Sequence, residues 1–330
     1  MKLLAALRKE PLSSPPLWMM RQAGRFLPEY RELRKKHSFQ EAVRSPEIAA
    51  EITLQPVRRF GFDAAILFAD IMTPLEAVGV EMTFDPGPRL APMTLAQIAE
   101  LPELTPDRVS HVGETIRLVR SQLPAEVALI GFAGAPVTLM AYLLQGGGSK
   151  DFVTLRAALR DDPVAGRAAA ESLGRAMRTY LAMQIEAGAD VVQLFDTWLG
   201  VLDVATARDV GLSGAHQALL GLGVPRIYFA PHAHHVQPEM RRVAADGYGV
   251  DWREPLDTQW DRIGSDVVIQ GNLDPATLLC GPATIQSAVE DILQRAAGRS
   301  GHIFNLGHGI DRNTPIEHVT AMVRAVRGDI

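Results

Sequence analysis

RRFGFDAAILF at residues 58–68, EAGADVVQLF at 186–195 and DRIGSDVVIQG at 261–271 carry one phrase three times. Each reads as a helix end, a glycine, any residue, an aspartate, and then a β-rich apolar run. Glycine just past a helix supplies the left-handed position that closes it, and an unbroken apolar run suits a parallel strand covered on both faces. AADGYGVDW at 244–252 is a looser fourth copy. Repetition of helix, glycine and strand predicts alternating β and α units.

Working outward, eight short runs qualify as strands: 17–20, 63–69, 127–133, 190–195, 226–230, 247–251, 267–271 and 302–306. Polar or alanine-rich amphipathic stretches such as 165–187 and 282–297 separate most of them. Eight such units without a composition break predict one (β/α)8 TIM-type barrel over 1–330, a single domain with its active cleft at the C-terminal ends of the strands. A doubly wound open sheet is the runner-up, but no GxGxxG follows the early strands.

The chain has 330 residues, 47% hydrophobic and 22% charged, which is ample material for a core. A net charge of −5 gives no electrostatic reason to expect nucleic acid. One cysteine, Cys280, excludes an internal disulfide framework or a Cys-rich zinc site and fits a reducing cytosol. The start MKLLAALRKE has too short an apolar run for a signal peptide, so a cytoplasmic location is expected. Residues 127–144 lack charge, but Gly131, Gly134 and Pro136 interrupt them; a buried strand turning into a helix explains them better than a membrane span.

In such a barrel the chemistry lies where strands finish. Those ends carry Arg21, Gln22 and Arg25, then Asp70, then Tyr142 with the flexible GGGS at 146–149, then Asp196 and Thr197. Later come PHAHH at 231–235, Asp251 with Trp252, Asn272 with Asp274, and His308 between two glycines. Bland roles compete: Asp70, Thr197 and Asp274 could each cap a helix, and Tyr142 could be core. As a site residue, Asp70 would be a carboxylate kept ionised by donors that converge on it. His232 and His234 form an HxH pattern that can bind a metal, though a polar loop at the barrel mouth fits its place near strand five better.

The segment WMMRQAGRFLP at 18–28 delivers two guanidinium forks, Arg21 and Arg25, on an apolar lead-in. Pro28 and Gly24 argue against a helix through the pair, so a mouth loop is expected, followed by a helix from about Pro28. Residues 21–36 hold six basic residues against two acidic ones. Two forks at a strand end suit a ligand with more than one anionic group. Residue types alone reach an enzyme acting on a polyanionic small molecule.

The chain resembles the uroporphyrinogen decarboxylase family. WMMRQAGRFLPEYRELR at 18–34 and GFAGAPVTLMAYLLQGGGS at 131–149 match its signatures; ILFADIMTPLEAVG, QLFDTWLG, QGNLDP and FNLGHGI follow in family order. The resemblance implies a single barrel domain, commonly homodimeric. It implies removal of four acetate carboxyl groups from uroporphyrinogen III to give coproporphyrinogen III and CO2, with neither metal nor organic cofactor. It places Arg21, Gln22, Ala23, Gly24, Arg25, Asp70, Tyr142, Thr197 and His308 in the substrate site, with Arg34 as an outer candidate. Arg21 and Arg25 would bind or polarise carboxylates, and Asp70 would accept pyrrole N–H groups and stabilise the transition state. No nucleic-acid or membrane partner is implied. APHAHH departs from the lysine-glycine pattern often seen after strand five. A cobamide-dependent methyltransferase or metal-dependent barrel is the alternative class.

Overall fold

The glycine of each repeated phrase ends a helix. Gly61 and Gly188 close the helices Pro46–Phe60 and Pro163–Ala187 in left-handed backbone, and Gly264, at φ 147°, follows Leu256–Ile263. The aspartate has a separate task. Leu17 N–H donates to Asp63 Oδ2 at 2.8 Å while Asp63 N–H returns to Leu17 O at 2.9 Å. Leu129 and Asp190 exchange the same two bonds at 2.8 Å each, and so do Arg226 and Asp246. The carboxylate therefore satisfies an N–H at the start of the neighbouring extended segment, which would otherwise be unpaired at the sheet's end. Asp266 breaks the pattern and pairs with Arg241 instead.

This computed structural model describes residues 1–84 and 87–329. Its strands are β1 Ala64–Ile66, β2 Met82–Phe84, β3 Pro88–Leu90, β4 Ala128–Gly134, β5 Val191–Phe195, β6 Arg226–Phe229, β7 Gly247–Gly249, β8 Val268–Leu273 and β9 His302–Leu306. Seven form a parallel sheet in the order β1-β4-β5-β6-β7-β8-β9, and β2 with β3 makes a separate antiparallel hairpin. Helices follow most strands, as the alternation predicts. Core residues from Leu3 to Val326 belong to one connected cluster.

The sheet curls. Gln270 of β8 donates through Nε2 to Gln193 Oε1 of β5 at 3.1 Å, and Trp18 Nε1 donates to Gln270 Oε1 at 3.0 Å. Two strands lie between β5 and β8, and in a flat sheet that spacing is roughly 14 Å. Direct side-chain contact requires the strands to bend towards one another.

One expected strand differs. Residues 17–20 form a single parallel bridge, Leu17 to Phe304, rather than a ladder. Phe304 N–H donates to Pro16 O, and Trp18 N–H donates to Phe304 O. Beyond that point the donors turn to side chains: Met19 N–H goes to Gln22 Oε1 and Met20 N–H to Asn305 Oδ1, both at 3.0 Å. Arg21 then enters left-handed backbone at φ 62°, and the extended run ends. The β2–β3 hairpin has no counterpart among the expected strands. The charge-free run 127–144 divides, as expected, into β4 and the helix Pro136–Gln145, and the helix after the arginine loop spans Pro28–Lys36. No helix among the described residues is long and apolar enough to cross a membrane.

Candidate active site

Leu17, Trp18, Met19 and Met20 are all buried and anchor the loop that carries the two guanidinium groups. Gln22 is also fully buried: its Oε1 accepts Met19 N–H and its Nε2 donates to Ala64 O at 3.0 Å. Its amide is consumed in holding the loop to β1, which leaves Ala23 and Gly24, both half-buried, as the loop's open surface. Gly24 has a local reason, since a Cβ there would lie 2.8 Å from Arg21 O.

Arg21 lies across Gly309, whose absent Cβ would sit 2.3 Å from Arg21 Cδ and 2.8 Å from Nε. The Gly-His-Gly turn after β9 is thus a floor for this side chain. Arg21 retains solvent contact, yet the protein packed around it lowers its pKa; the like charge of Arg25 adds to this, and Tyr142 opposes it. Arg25 and Tyr142 therefore both lie within electrostatic reach of Arg21. Neither Arg21 nor Arg25 has a side-chain ion pair among the described residues, whereas most arginines elsewhere are matched to acids, such as Arg59 with Glu29 and Arg226 with Asp246. Left-handed backbone at a non-glycine residue costs on the order of 1–3 kcal/mol and clusters at functional sites.

His308 is half-buried, 6.1 Å between ring centres from Trp252 in an edge-on contact. Burial, then the charges of Arg21, His232 and Arg253, push its pKa down to about 4, so the imidazole is neutral at pH 7. His232, at φ 61°, also meets Trp252 edge-on, 6.5 Å between ring centres. Beneath them Asp251 is only 1% exposed and accepts His232 N–H at 2.7 Å, His234 Nε2 at 2.9 Å, Arg253 N–H at 3.0 Å and Arg253 Nη1 at 2.9 Å. Burial alone would raise this carboxyl; the N–H groups of His232 and Arg253, together with His234, outweigh it and hold it low.

Asp70 follows β1 in a half-buried loop. Its Oδ1 accepts Met72 N–H at 2.7 Å, a local turn bond, and no other described donor reaches the carboxylate. Burial raises its pKa; the Met72 bond opposes this and Glu76 adds to it. Its charge also acts on the buried, unpartnered hydroxyl of Tyr180.

Thr197 is half-buried, with no side-chain hydrogen bond among the described residues. The residue before it does the local structural work. Asp196 is fully buried and accepts Tyr228 Oη–H at 2.7 Å and Thr138 Oγ1–H at 2.9 Å, and burial pushes its carboxyl up to about 6 despite those bonds. Tyr142 is half-buried beside Phe152, 5.8 Å between ring centres. Arg34 is committed locally: Nη1 donates to His37 O at 2.6 Å, and its guanidinium lies over Phe39. Asp274 caps the short helix Pro275–Leu279 through Ala276 N–H.

The histidines of the PHAHH loop diverge. His232 faces Trp252, His234 binds Asp251, and His235 Nε2 meets Leu202 O. Cys280 is exposed, with its thiol beside Ala276 O at 3.9 Å. Among the described residues no group of three or more His, Cys, Asp or Glu side chains could hold a metal ion. Arg253 had drawn no attention in the sequence; its one signal was its place directly after Asp251-Trp252 at a strand end.

A curled parallel sheet wound with helices, with unpaired cations gathered where its strands finish, defines an α/β enzyme of the TIM-barrel-like class. A methyltransferase from Methanosarcina mazei has this fold, with a TM-score of 0.83, 20% identity and coverage of 99% of this chain and 98% of that one. The family model for uroporphyrinogen decarboxylase (URO-D) matches residues 1–328. The chain belongs to the uroporphyrinogen decarboxylase family. The uroporphyrinogen decarboxylase of Chloroflexus aggregans is 43% identical over 341 aligned positions, covering 99% of this chain and 95% of its own. That of Streptomyces avermitilis is 43% identical, with 98% and 93% covered.

Proposed function

We propose that the protein is a uroporphyrinogen decarboxylase, a carboxy-lyase that removes the four acetate carboxyl groups of uroporphyrinogen III to give coproporphyrinogen III and CO2. The observation that carries this reading is the unpaired Arg21–Arg25 couple on the mouth loop. Two guanidinium forks without carboxylate partners among the described residues call for an external polycarboxylate, and the substrate has eight such groups.

The chemistry needs an electron sink when CO2 leaves, and a pyrrole protonated at its α-carbon provides one. Loss of CO2 returns the electron pair to the ring and leaves an exocyclic methylene, which gains a proton to become methyl as the ring sheds its added one. Between ring protonation and CO2 loss the ring carries positive charge. A carboxylate fixed in a poorly hydrated site stabilises it, and Asp70 has that setting. Because Met72 supplies only one N–H bond, Asp70 keeps accepting capacity for pyrrole N–H groups, and these would offset the burial that raises its pKa. Tyr142, Thr197 and His308 line the same mouth and offer hydroxyl or neutral imidazole contacts. Arginine is a poor acid, which leaves solvent, the substrate or a cooperating carboxylate as the source of the ring proton.

The finer architecture we infer is a closed eight-staved barrel forming one domain over 1–330. Leu17 exchanges with Asp63 the same pair of bonds that links true neighbouring strands, and on the other flank its neighbours Pro16 and Trp18 bond to Phe304. A homodimer in the cytoplasm is the assembly and location implied by the resemblance. Sedimentation of the purified protein tests the dimer. Anaerobic incubation with uroporphyrinogen III, with remaining carboxyl groups counted by chromatography, tests the activity; folded protein that leaves only eight-carboxyl material refutes it.

A further inference from the structure

We propose that Arg253 is an additional carboxylate-binding residue of the cleft and holds a non-reacting propionate of the substrate at the rim. The inference rests on the decarboxylase reading above.

Three observations place the group. The guanidinium lies 4.0 Å over the Trp252 ring, and Trp252 meets His308 edge-on at 6.1 Å. Its Nη1 donates to Asp251 Oδ2 at 2.9 Å. Its charge also bears on His308, as that of Arg21 does, so the two guanidinium groups share a neighbour in the mouth.

The contact with Asp251 does not exhaust Arg253. That carboxylate already receives His232 N–H, His234 Nε2 and the backbone N–H of Arg253 itself. Nε and Nη2 of Arg253 have no partner among the described residues, and the side chain is 35% exposed. A guanidinium clamped by an acid on one edge and an indole on its face loses little freedom when a second carboxylate arrives. Its outward donors are thus pre-set for a ligand.

Exposure selects the propionate over the acetate. Decarboxylation gains from a site that excludes water, and Arg253 stands at the wet rim. A contact with a group that does not react binds ground state and transition state alike, so it lowers KM and leaves kcat nearly unchanged. Propionates survive in coproporphyrinogen III, so product affinity should depend on Arg253 as well.

The test uses full-length Arg253→Gln and Arg253→Lys proteins under anaerobic conditions. For Arg253→Gln, KM for uroporphyrinogen III and the equilibrium Kd for coproporphyrinogen III should both rise about tenfold, with kcat within about twofold. Arg253→Lys keeps the charge but loses the fork and should fall between Gln and wild type. Unchanged KM and product Kd in Arg253→Gln would overturn the proposal. So would a lower kcat and melting temperature with unchanged product Kd, since Arg253 would then only support Asp251. If Arg253→Gln fails to fold, Arg253→Lys decides alone: a wild-type product Kd with a folded protein rejects the carboxylate contact. Absence of CO2 release by the wild-type protein would instead defeat the decarboxylase reading, and the product Kd comparison separates the two failures.

Discussion

Gly309→Ala separates the position of Arg21 from the stability of the fold. The new Cβ would stand 2.3 Å from Arg21 Cδ, where ordinary contact begins near 3.4 Å, so the side chain must withdraw by about 1.1 Å. Relief is easy in energy, because the atoms it would meet belong to the flexible side chain of Arg21, with no ion pair to break among the described residues. Gly309 does not have positive φ, so alanine also stiffens the unfolded chain, an effect of about 0.4–1 kcal/mol in favour of folding. The melting temperature should therefore stay within about 3 °C of wild type. Activity should not survive so well, since displacing a positioning group by about 1 Å can cost roughly a hundredfold in rate. The assay is steady-state kcat/KM for uroporphyrinogen III under anaerobic conditions, beside a thermal melt. Wild-type kcat/KM with an unchanged melt would refute the assignment of Arg21 to the site. A collapsed melt would refute the claim that the turn only supports a side chain.

Asp70→Asn keeps the size and removes the charge, so turnover should fall by roughly 100-fold or more with folding intact; near-wild-type kcat would exclude charge stabilisation. Because burial raises the Asp70 pKa, the acidic limb of kcat/KM should lie above the ordinary carboxylate range, with activity lost as pH falls through it. Asp196 titrates near 6 when folded, against 3.8 as its reference. Its contribution to stability is full below pH 3.8 and is lost as pH rises through about 6, by up to about 3 kcal/mol. Urea melts across pH 4–7 should show this slope flattened in Asp196→Asn; an unchanged slope would remove Asp196 as its source. His308, held at about 4 partly by Arg21, should titrate upward in Arg21→Gln when followed by NMR of the imidazole, and an unmoved titration would place the two groups apart.

The strand ends that carry the candidate site were legible in advance because they can be read from local pattern. The helix-Gly-x-Asp-strand phrase located β1, β5 and β8, and barrel logic then pointed to the residues just past them. The arginine loop, its break at Arg21 and the helix from Pro28 followed from Gly24 and Pro28. Gln22 was assigned to the ligand, but its amide is spent inside the wall, a matter of which way a side chain turns. Arg253 was overlooked because its meaning comes from Trp252, Asp251 and His308, and His308 lies over fifty residues away.

Local chemistry within a dozen residues was enough to dictate where helices stop, where strands begin and which ends carry charge. Backbone preference and hydrophobic periodicity act over that range. The pairing of Leu17 with both Asp63 and Phe304, the floor that Gly309 provides for Arg21, and the two donors that His232 and His234 bring to Asp251 depend on folding. Each joins segments that no local preference connects, and packing alone brings them within contact distance.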